Sequence, residues 1–424
     1  VFAGHSKDYS VCLSVNIGHV NEPSKGIAAL FEKTLLLQVK GVIPVFGGTM
    51  TAYTTGGEDL EEALEKVAQI FNSTVISEEL VEQAKAAIVK QTHDTAPLTM
   101  RRMKLLYKHT AFGADWVVTP NEYLLKIESY TAEDVREFAN TYYTAANVVL
   151  AIAGPKIPLA DMKEAVAHCL GNVPAGIRQP KFNGDIYTGG FSRMDVNSGA
   201  TRLMFGWDVS KLTLDDSPAA NVMMSMFWRR LERAYAEAGI DAQVEFKIAG
   251  YYGLRTMRAF VMSPDADAKS LTNVLIGAVN RICDVEATEE RMEKSRNAAM
   301  VEKLDKYEKS DDKALEVAWQ TIGRGSMYNI ANRIEEIKDI DADAVRMLSL
   351  RVFRGCRPTY IVAATPETDA LSYLRSAVGN ATKYKENIFE VLKKRKADGG
   401  DIYKYELEGM RRQYIDNYYN AMDS

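Results

Sequence analysis

The sequence is poor in the side chains that hold metals. Its five histidines (His5, His19, His93, His109, His168) include no two that stand three or four residues apart. No helix can therefore present two imidazoles to one ion, the usual beginning of a helical zinc site. Four cysteines (Cys12, Cys169, Cys283, Cys356) are widely spaced and form no C-x-x-C pair. A disulfide framework is excluded, no haem or iron–sulfur ligand pattern is present, and the thiols are expected to be reduced and mostly buried. No apolar run approaches the roughly 18–20 residues needed to cross a bilayer. The longest candidates, such as Val148–Ala153, are of strand length. The formal net charge is only −5 with no dominant basic block, so nucleic acid is not an expected partner. There is no G-x-x-x-x-G-K-[ST] phosphate loop, and Gly323-Arg324-Gly325-Ser326 is too short and isolated to replace one.

What remains is a folded chain of ordinary composition, 46% apolar and 26% charged. At 424 residues it exceeds a single core and implies two to four domains. The chain begins at Val1 without an initiator methionine, which is compatible with removal of a presequence.

A repeat narrows the count to two. Ile127–Val135 matches Ile337–Val345 at an offset of 210 residues, and Val148–Gly154 meets Pro358–Ala364 at the same offset. Glu78–Val89 meets Glu289–Met300 at 211, with Lys85 aligned to Arg296. Each copy reads as a long helical stretch, a capped short helix, then an apolar strand. Thr131 and Asp341 are suitable N-caps, each with an acid two or three positions on. So long a period is no solenoid. It predicts two homologous domains, 1–171 and 186–382, joined by a polar Pro- and Gly-containing linker at 172–185. A tail at 383–424 lies outside the repeat, with a basic knot at Lys393–Lys396 and a tyrosine-rich end suited to docking on a partner or to packing on the chain's own surface.

Along the first copy, Val11–Ile17 alternates as a strand buried on one face, and Gly26–Leu36 opens a buried helix. Pro44–Thr55 reads as a glycine turn into a strand. Glu58–Phe71 is an amphipathic helix burying Leu60, Ala63, Leu64, Val67 and Phe71, and Glu78–Gln91 is a further helix. In the second copy a strand at Arg202–Phe205, a helix at Ala219–Ala236 and a strand after Gly250–Arg255 repeat that order. His109, Tyr142-Tyr143 and Trp228-Arg229-Arg230 read as structural or helix-surface residues.

Four segments carry a resemblance: Gly26-Ile-Ala-Ala-Leu-Phe-Glu-Lys-Thr-Leu-Leu36, Gly47-Gly-Thr-Met-Thr-Ala-Tyr-Thr54, the stretch from Leu105 to Pro155, and Tyr187-Thr-Gly-Gly190. Together with the repeat they resemble the insulinase/pitrilysin superfamily of zinc peptidases, over roughly residues 8–380. The first segment is similar to its inverted zinc motif, H-x-x-E-H, with Ala29 and Lys33 where the histidines would stand and only Glu32 kept. The second departs at Thr51, where asparagine is usual, and the strand that normally follows is shortened. The helix at Glu78–Gln91 would supply a third ligand, but Ala84 and Gln91 fall at the acidic positions; a slip in register would bring in Glu78, Glu79 or Glu82. An alanine methyl has no lone pair, a lysine ammonium repels a dication, and Glu32 alone holds no zinc. The resemblance implies no catalytic residue, no metal and no cofactor, with Ala29, Glu32, Lys33 and Gln91 as the remnant of a site.

The fold so implied is α/β (α+β), two homologous domains each with a mainly antiparallel sheet covered by helices. Two-domain chains of this length are similar to the mitochondrial processing peptidase subunits and to the core proteins of ubiquinol–cytochrome c reductase, complex III. The non-catalytic processing subunit carries a glycine-rich loop where this chain has Asn221–Arg230 with no glycine. The expectation is therefore a structural core subunit on the matrix side of the mitochondrial inner membrane. Its partners would be a second core or peptidase-like subunit, cytochrome b and cytochrome c1, with no membrane span of its own. The alternative is a non-catalytic, substrate-binding subunit of the processing peptidase.

Overall fold

The computed structural model describes residues 2–3, 7–72, 76–94, 98–113, 120–180, 186–196, 199–213, 215–251, 254–284, 287–308, 310–324 and 330–365. The tail expected at 383–424 lies outside the described residues. The first half runs β1 (Phe2–Ala3), β2 (Tyr9–Val15), α1 (Ile27–Gln38), β3 (Ile43–Phe46), β4 (Thr51–Gly57), α2 (Leu60–Asn72), α3 (Glu78–Asp94) and α4 (Leu98–Phe112). It continues with α5 (Pro120–Ser129), α6 (Ala132–Tyr142), β5 (Val148–Gly154) and α7 (Leu159–Leu170). The second half runs β6 (Gly190–Asp195), β7 (Thr201–Asp208), α8 (Ser217–Glu237), β8 (Gln243–Tyr251), β9 (Leu254–Ser263), α9 (Ala268–Asp284) and α10 (Glu289–Glu308). It ends with α11 (Ser310–Arg324), α12 (Ile330–Lys338), α13 (Ala342–Phe353) and β10 (Thr359–Ala364).

Two five-stranded sheets result, in the orders β1-β5-β2-β4-β3 and β6-β10-β7-β9-β8. Replacing each strand of the first by its counterpart in the second reproduces the same path. Among the described residues only the pairs β1 with β5 and β6 with β10, each at one edge of its sheet, are parallel. The repeat extends to single contacts. Thr131 caps α6 in a capping box with Asp134, and Asp341 caps α13 by accepting from Ala344 N at 2.6 Å. Lys85 Nζ donates to the carbonyl of Glu128 at 3.2 Å, and its counterpart Arg296 donates from Nη1 to the carbonyl of Ile340 at 3.0 Å. Each cation ties the long helix to the chain entering the capped one.

One face of the first sheet buries Val11, Leu13, Val15 and Tyr53 under α1, α2 and α6. The second sheet buries Leu203, Phe205, Trp207, Met257 and Val261 under α8, α9 and α13. The strand expected at Val11–Ile17 to be buried on one face is in fact buried on both. The reason lies in the other half. Helix α11 lies on the far face of the first sheet, where Cys12, Ala52, Ala151 and Ala153 meet Ala314 and Ala318. Small side chains on both surfaces let helix and sheet approach closely. Ser10 Oγ donates to Asp311 at that contact. In return α4 covers the far face of the second sheet, packing Met103, Tyr107 and Ala111 on Met204, Ile361 and Ala363. Gly206 permits this, because a Cβ there would run into the Tyr107 ring.

The expected linker is no free tether. Ala145 N and Ala146 N donate to the carbonyls of Pro174 and Ala175 at 2.8 and 2.9 Å. Gln179 N donates to Asn147 Oδ1 at 3.2 Å, and Asn16 Nδ2 donates to the Gln179 carbonyl at 3.0 Å. Its described residues, 172–180, are thus bound along the end of α6.

Candidate site on the first helix

Helix α1 begins at a tightly tied turn. Gly26 is its N-cap with φ of 93°, a conformation that favours glycine, and a Cβ there would crowd Ile127. No cap side chain serves the first turn directly. Glu22 does so from outside, accepting from Gly26 N at 2.9 Å and Ala28 N at 3.0 Å, as a carboxylate at the positive end of a helix should. Burial pushes the Glu22 carboxyl up, against those two hydrogen bonds and the nearby His19 and Lys25. Lys25 Nζ donates to the carbonyls of His19 and Val20, and Tyr130 Oη donates to Ser24 Oγ at 2.8 Å and to the Lys25 carbonyl at 2.9 Å. The turn that carries His19 is thereby held against α1.

Glu32 lies one turn into the helix with only 2% of its side chain exposed. Both its oxygens are taken. Oε2 accepts from His19 Nε2 at 2.9 Å and Oε1 from Thr51 Oγ1 at 2.6 Å. A carboxylate has no proton to give, so Nε2 is the protonated nitrogen of His19. The His19 ring, 41% exposed, tilts against Phe46 at a centroid distance of 5.8 Å. Burial lowers the His19 pKa, but the hydrogen bond and charge of Glu32, with Glu22 behind it, win and leave it raised above the ordinary 6.5. Beneath the pair, Tyr53 and Tyr143 join their hydroxyls at 2.8 Å in full burial. That burial above all, with the charge of Glu32 adding to it at each ring, pushes both phenols far above the ordinary tyrosine value.

Across from His19 the neighbouring charges are positive. Lys108 on α4 lies near enough to act on the imidazole, and Lys104 and Arg258 act in turn on Lys108. Although Lys108 reaches water, the protein around it and then those two cations draw its ammonium below the usual lysine range. Arg258 stands 5.3 Å from the centre of the Tyr107 ring.

The residues expected as remnants occupy the following places. Ala29 and Lys33 flank Glu32 on α1, both partly buried. Ala84 is fully buried on α3, and Gln91 is exposed further along that helix. The donor set does not fit zinc: a methyl, an ammonium and a carboxylate whose oxygens are already bonded. Among the described residues no group of three or more His, Cys, Asp or Glu could hold a metal ion. That His19 is the partner of Glu32 is not apparent from the sequence. His19 sits in the turn ahead of the helix, so no helical spacing could point to it. Thr51 was noticed only as a departure from a motif, and here it is the second partner of the carboxylate.

Residues 129–299 match the family described as Peptidase M16 inactive domain. The match runs from the end of α5 into α10, and so begins beyond helix α1. Three solved structures share the fold. A chain of complex III2 from Candida albicans, with Inz-5 bound, superposes with a TM-score of 0.73 at 15% identity, covering 88% of this chain and 95% of that one. A protease from Helicobacter pylori gives 0.73 at 14% identity, over 85% and 95%. A peptidase M16 inactive domain from Pseudomonas fluorescens gives 0.71 at 13% identity, over 86% and 94%. No curated protein matches this chain.

Proposed function

We propose that this chain is a non-catalytic structural core subunit of complex III, a scaffold at the matrix side of the mitochondrial inner membrane. It would pair with a second peptidase-like subunit and assemble with cytochrome b and cytochrome c1. The observation that carries this reading is the closure of Glu32. Both its oxygens are bonded, to His19 and Thr51, and the helix around it supplies Ala29 and Lys33 in place of ligands. The M16 inactive domain match and the shared fold with a complex III2 chain support it. No described helix is long and apolar enough to cross a membrane, in keeping with attachment through other subunits. The reading includes two homologous domains at 1–171 and 186–382, a join at 172–185 and a partner-docking tail at 383–424.

A second reading, peptide binding without cleavage as in a processing peptidase subunit, draws on the edge strand β3. It ends the first sheet, and it exposes Ile43 at 66% and Phe46 at 44% beside His19. An extended peptide can add to such an edge through its backbone. The positive charge of Lys104, Lys108 and Arg258 nearby counts against the basic peptides of presequences.

The native mass and partners of the endogenous protein, after mild detergent extraction, test the choice. Migration in a large particle with cytochrome b and cytochrome c1 supports the scaffold. A soluble heterodimer of about 100 kDa, twice a chain of this size, would overturn it in favour of the peptide-binding reading.

A further inference from the structure

In the second half, α8, α9 and α10 line a cavity of about 360 Å³ that is open to solvent on one side. Six cations line it: Arg229, Arg230 and Arg233 from α8, Arg281 from α9, and Arg291 and Lys294 from α10. The one lining carboxylate is Glu237, 4.0 Å from Arg281 with both side chains largely exposed. Such a pair offsets little charge. Lys294 is engaged by Glu290, itself on the surface. Among the described residues no carboxylate pairs with Arg230, Arg233 or Arg291, and Arg230 Nη1 is buried without a hydrogen-bond partner. Burial first, and then the charges of Arg291, Arg281 and Arg233, lower the Arg230 pKa. Four guanidinium groups are thus held together against their mutual repulsion, one with a donor turned away from water.

A buried unpaired donor and a crowd of like charges both cost stability, and one occupant relieves both. It must be an anion with several acceptor oxygens, since the guanidinium fork matches phosphate geometry in two-point hydrogen bonds. The cavity volume falls in the range of small-ligand sites and exceeds what a single small ion needs. Met226 and Ala234 add an apolar wall, and Ser295, almost fully buried, adds a hydroxyl. We propose that this cavity binds a phosphate-bearing group of diphosphate or phosphodiester size, carried by a soluble ligand or by a lipid headgroup. The site is independent of the altered motif helix and of the assembly reading. Read as sequence, Trp228-Arg229-Arg230 was only a helix surface; the cavity comes from the arrival of α9 and α10 beside it.

The full chain is titrated with pyrophosphate by calorimetry at fixed ionic strength. In parallel it is sedimented with phosphatidylcholine vesicles with and without phosphatidylglycerol. Arg230→Gln and, because it sits at the surface of α10 and spares the fold, Arg291→Gln are carried through both arms with circular dichroism as the folding check. The expected result for a soluble ligand is saturable pyrophosphate binding, weakened about tenfold or more by each variant, in line with loss of a charge-assisted hydrogen bond. Binding to phosphatidylglycerol vesicles alone, lost in both variants, assigns the phosphate to a lipid headgroup and equally supports the site. Binding in neither arm, or binding that folded Arg291→Gln leaves unchanged, overturns the proposal.

Discussion

His19 Nε2 and Glu32 Oε2 stand 2.9 Å apart, and the bond joins the turn before α1 to the middle of its buried face. With both carboxylate oxygens bonded, Glu32 is a structural anchor, and its properties should be those of an anchor.

Glu32→Gln should cost about 1–3 kcal/mol, since a buried charge-assisted bond is lost while Thr51 keeps a partner. It should also change the response to pH. The folded chain holds the His19 proton more tightly than an unfolded chain would, because its pKa is raised above 6.5. That contribution is complete below about 6.5 and is lost as pH rises through the folded value. Wild type should therefore lose stability across that window, and Glu32→Gln should flatten the slope. Urea denaturation at a series of pH values, with an NMR titration of the His19 ring, measures both. An unchanged His19 titration in the variant would contradict the pairing.

Ala29→His with Lys33→His places two imidazoles four residues apart around Glu32. The double variant should gain zinc binding in equilibrium dialysis, absent from wild type, because neutral imidazoles on one helical face are ligands. It should still cleave no peptide, since Glu32 remains bonded to His19 and Thr51 and no third ligand comes from Ala84 or Gln91. Peptide hydrolysis by the zinc-loaded double variant would show that Glu32 is freer than its contacts imply.

The Tyr53–Tyr143 hydroxyl pair should behave as a coupled unit. Either Tyr→Phe change alone strands a buried hydroxyl and should cost about 1–3 kcal/mol. Both together should cost less than the two losses added, with a coupling on the order of 1 kcal/mol. A double-mutant cycle by thermal or urea unfolding reads this directly, and strict additivity would deny the bond.

Gly206→Ala should destabilise by about 1–3 kcal/mol through overpacking against Tyr107. Tyr107→Leu in the same chain should recover part of the loss by withdrawing the ring. Differential scanning fluorimetry of the two variants suffices, and a Gly206→Ala protein as stable as wild type would refute the packing of α4 on the second sheet.

Much of this fold is legible in the sequence because it is written twice. The matched Thr131 and Asp341 caps, and Lys85 against Arg296, are local signals whose recurrence made two halves visible, and each recurs as a contact. The short parallel strands β1 and β6 gave no signal, since strands of two and six residues at a sheet edge carry too little alternation. Nor could Val11–Ile17 reveal its second buried face, because the cover comes from α11, some three hundred residues later in the chain. At the site, the sequence singles out Ala29, Glu32 and Lys33 through their resemblance to a motif. The His19 partnership depends on a turn closed by Glu22, Lys25 and Tyr130, which no periodicity describes.

The exchange of α4 and α11 fixes an order of events during synthesis. The last strand of the first sheet ends at Gly154, but the helix that covers its far face does not begin until Ser310. A growing chain can thus form that sheet long before it can close it, and its alanine-lined face must stay open to solvent or to a chaperone in the interval. Neither half covers its own sheet on both faces, and truncated products ending anywhere between those points should be poor in soluble yield however stable the complete chain is.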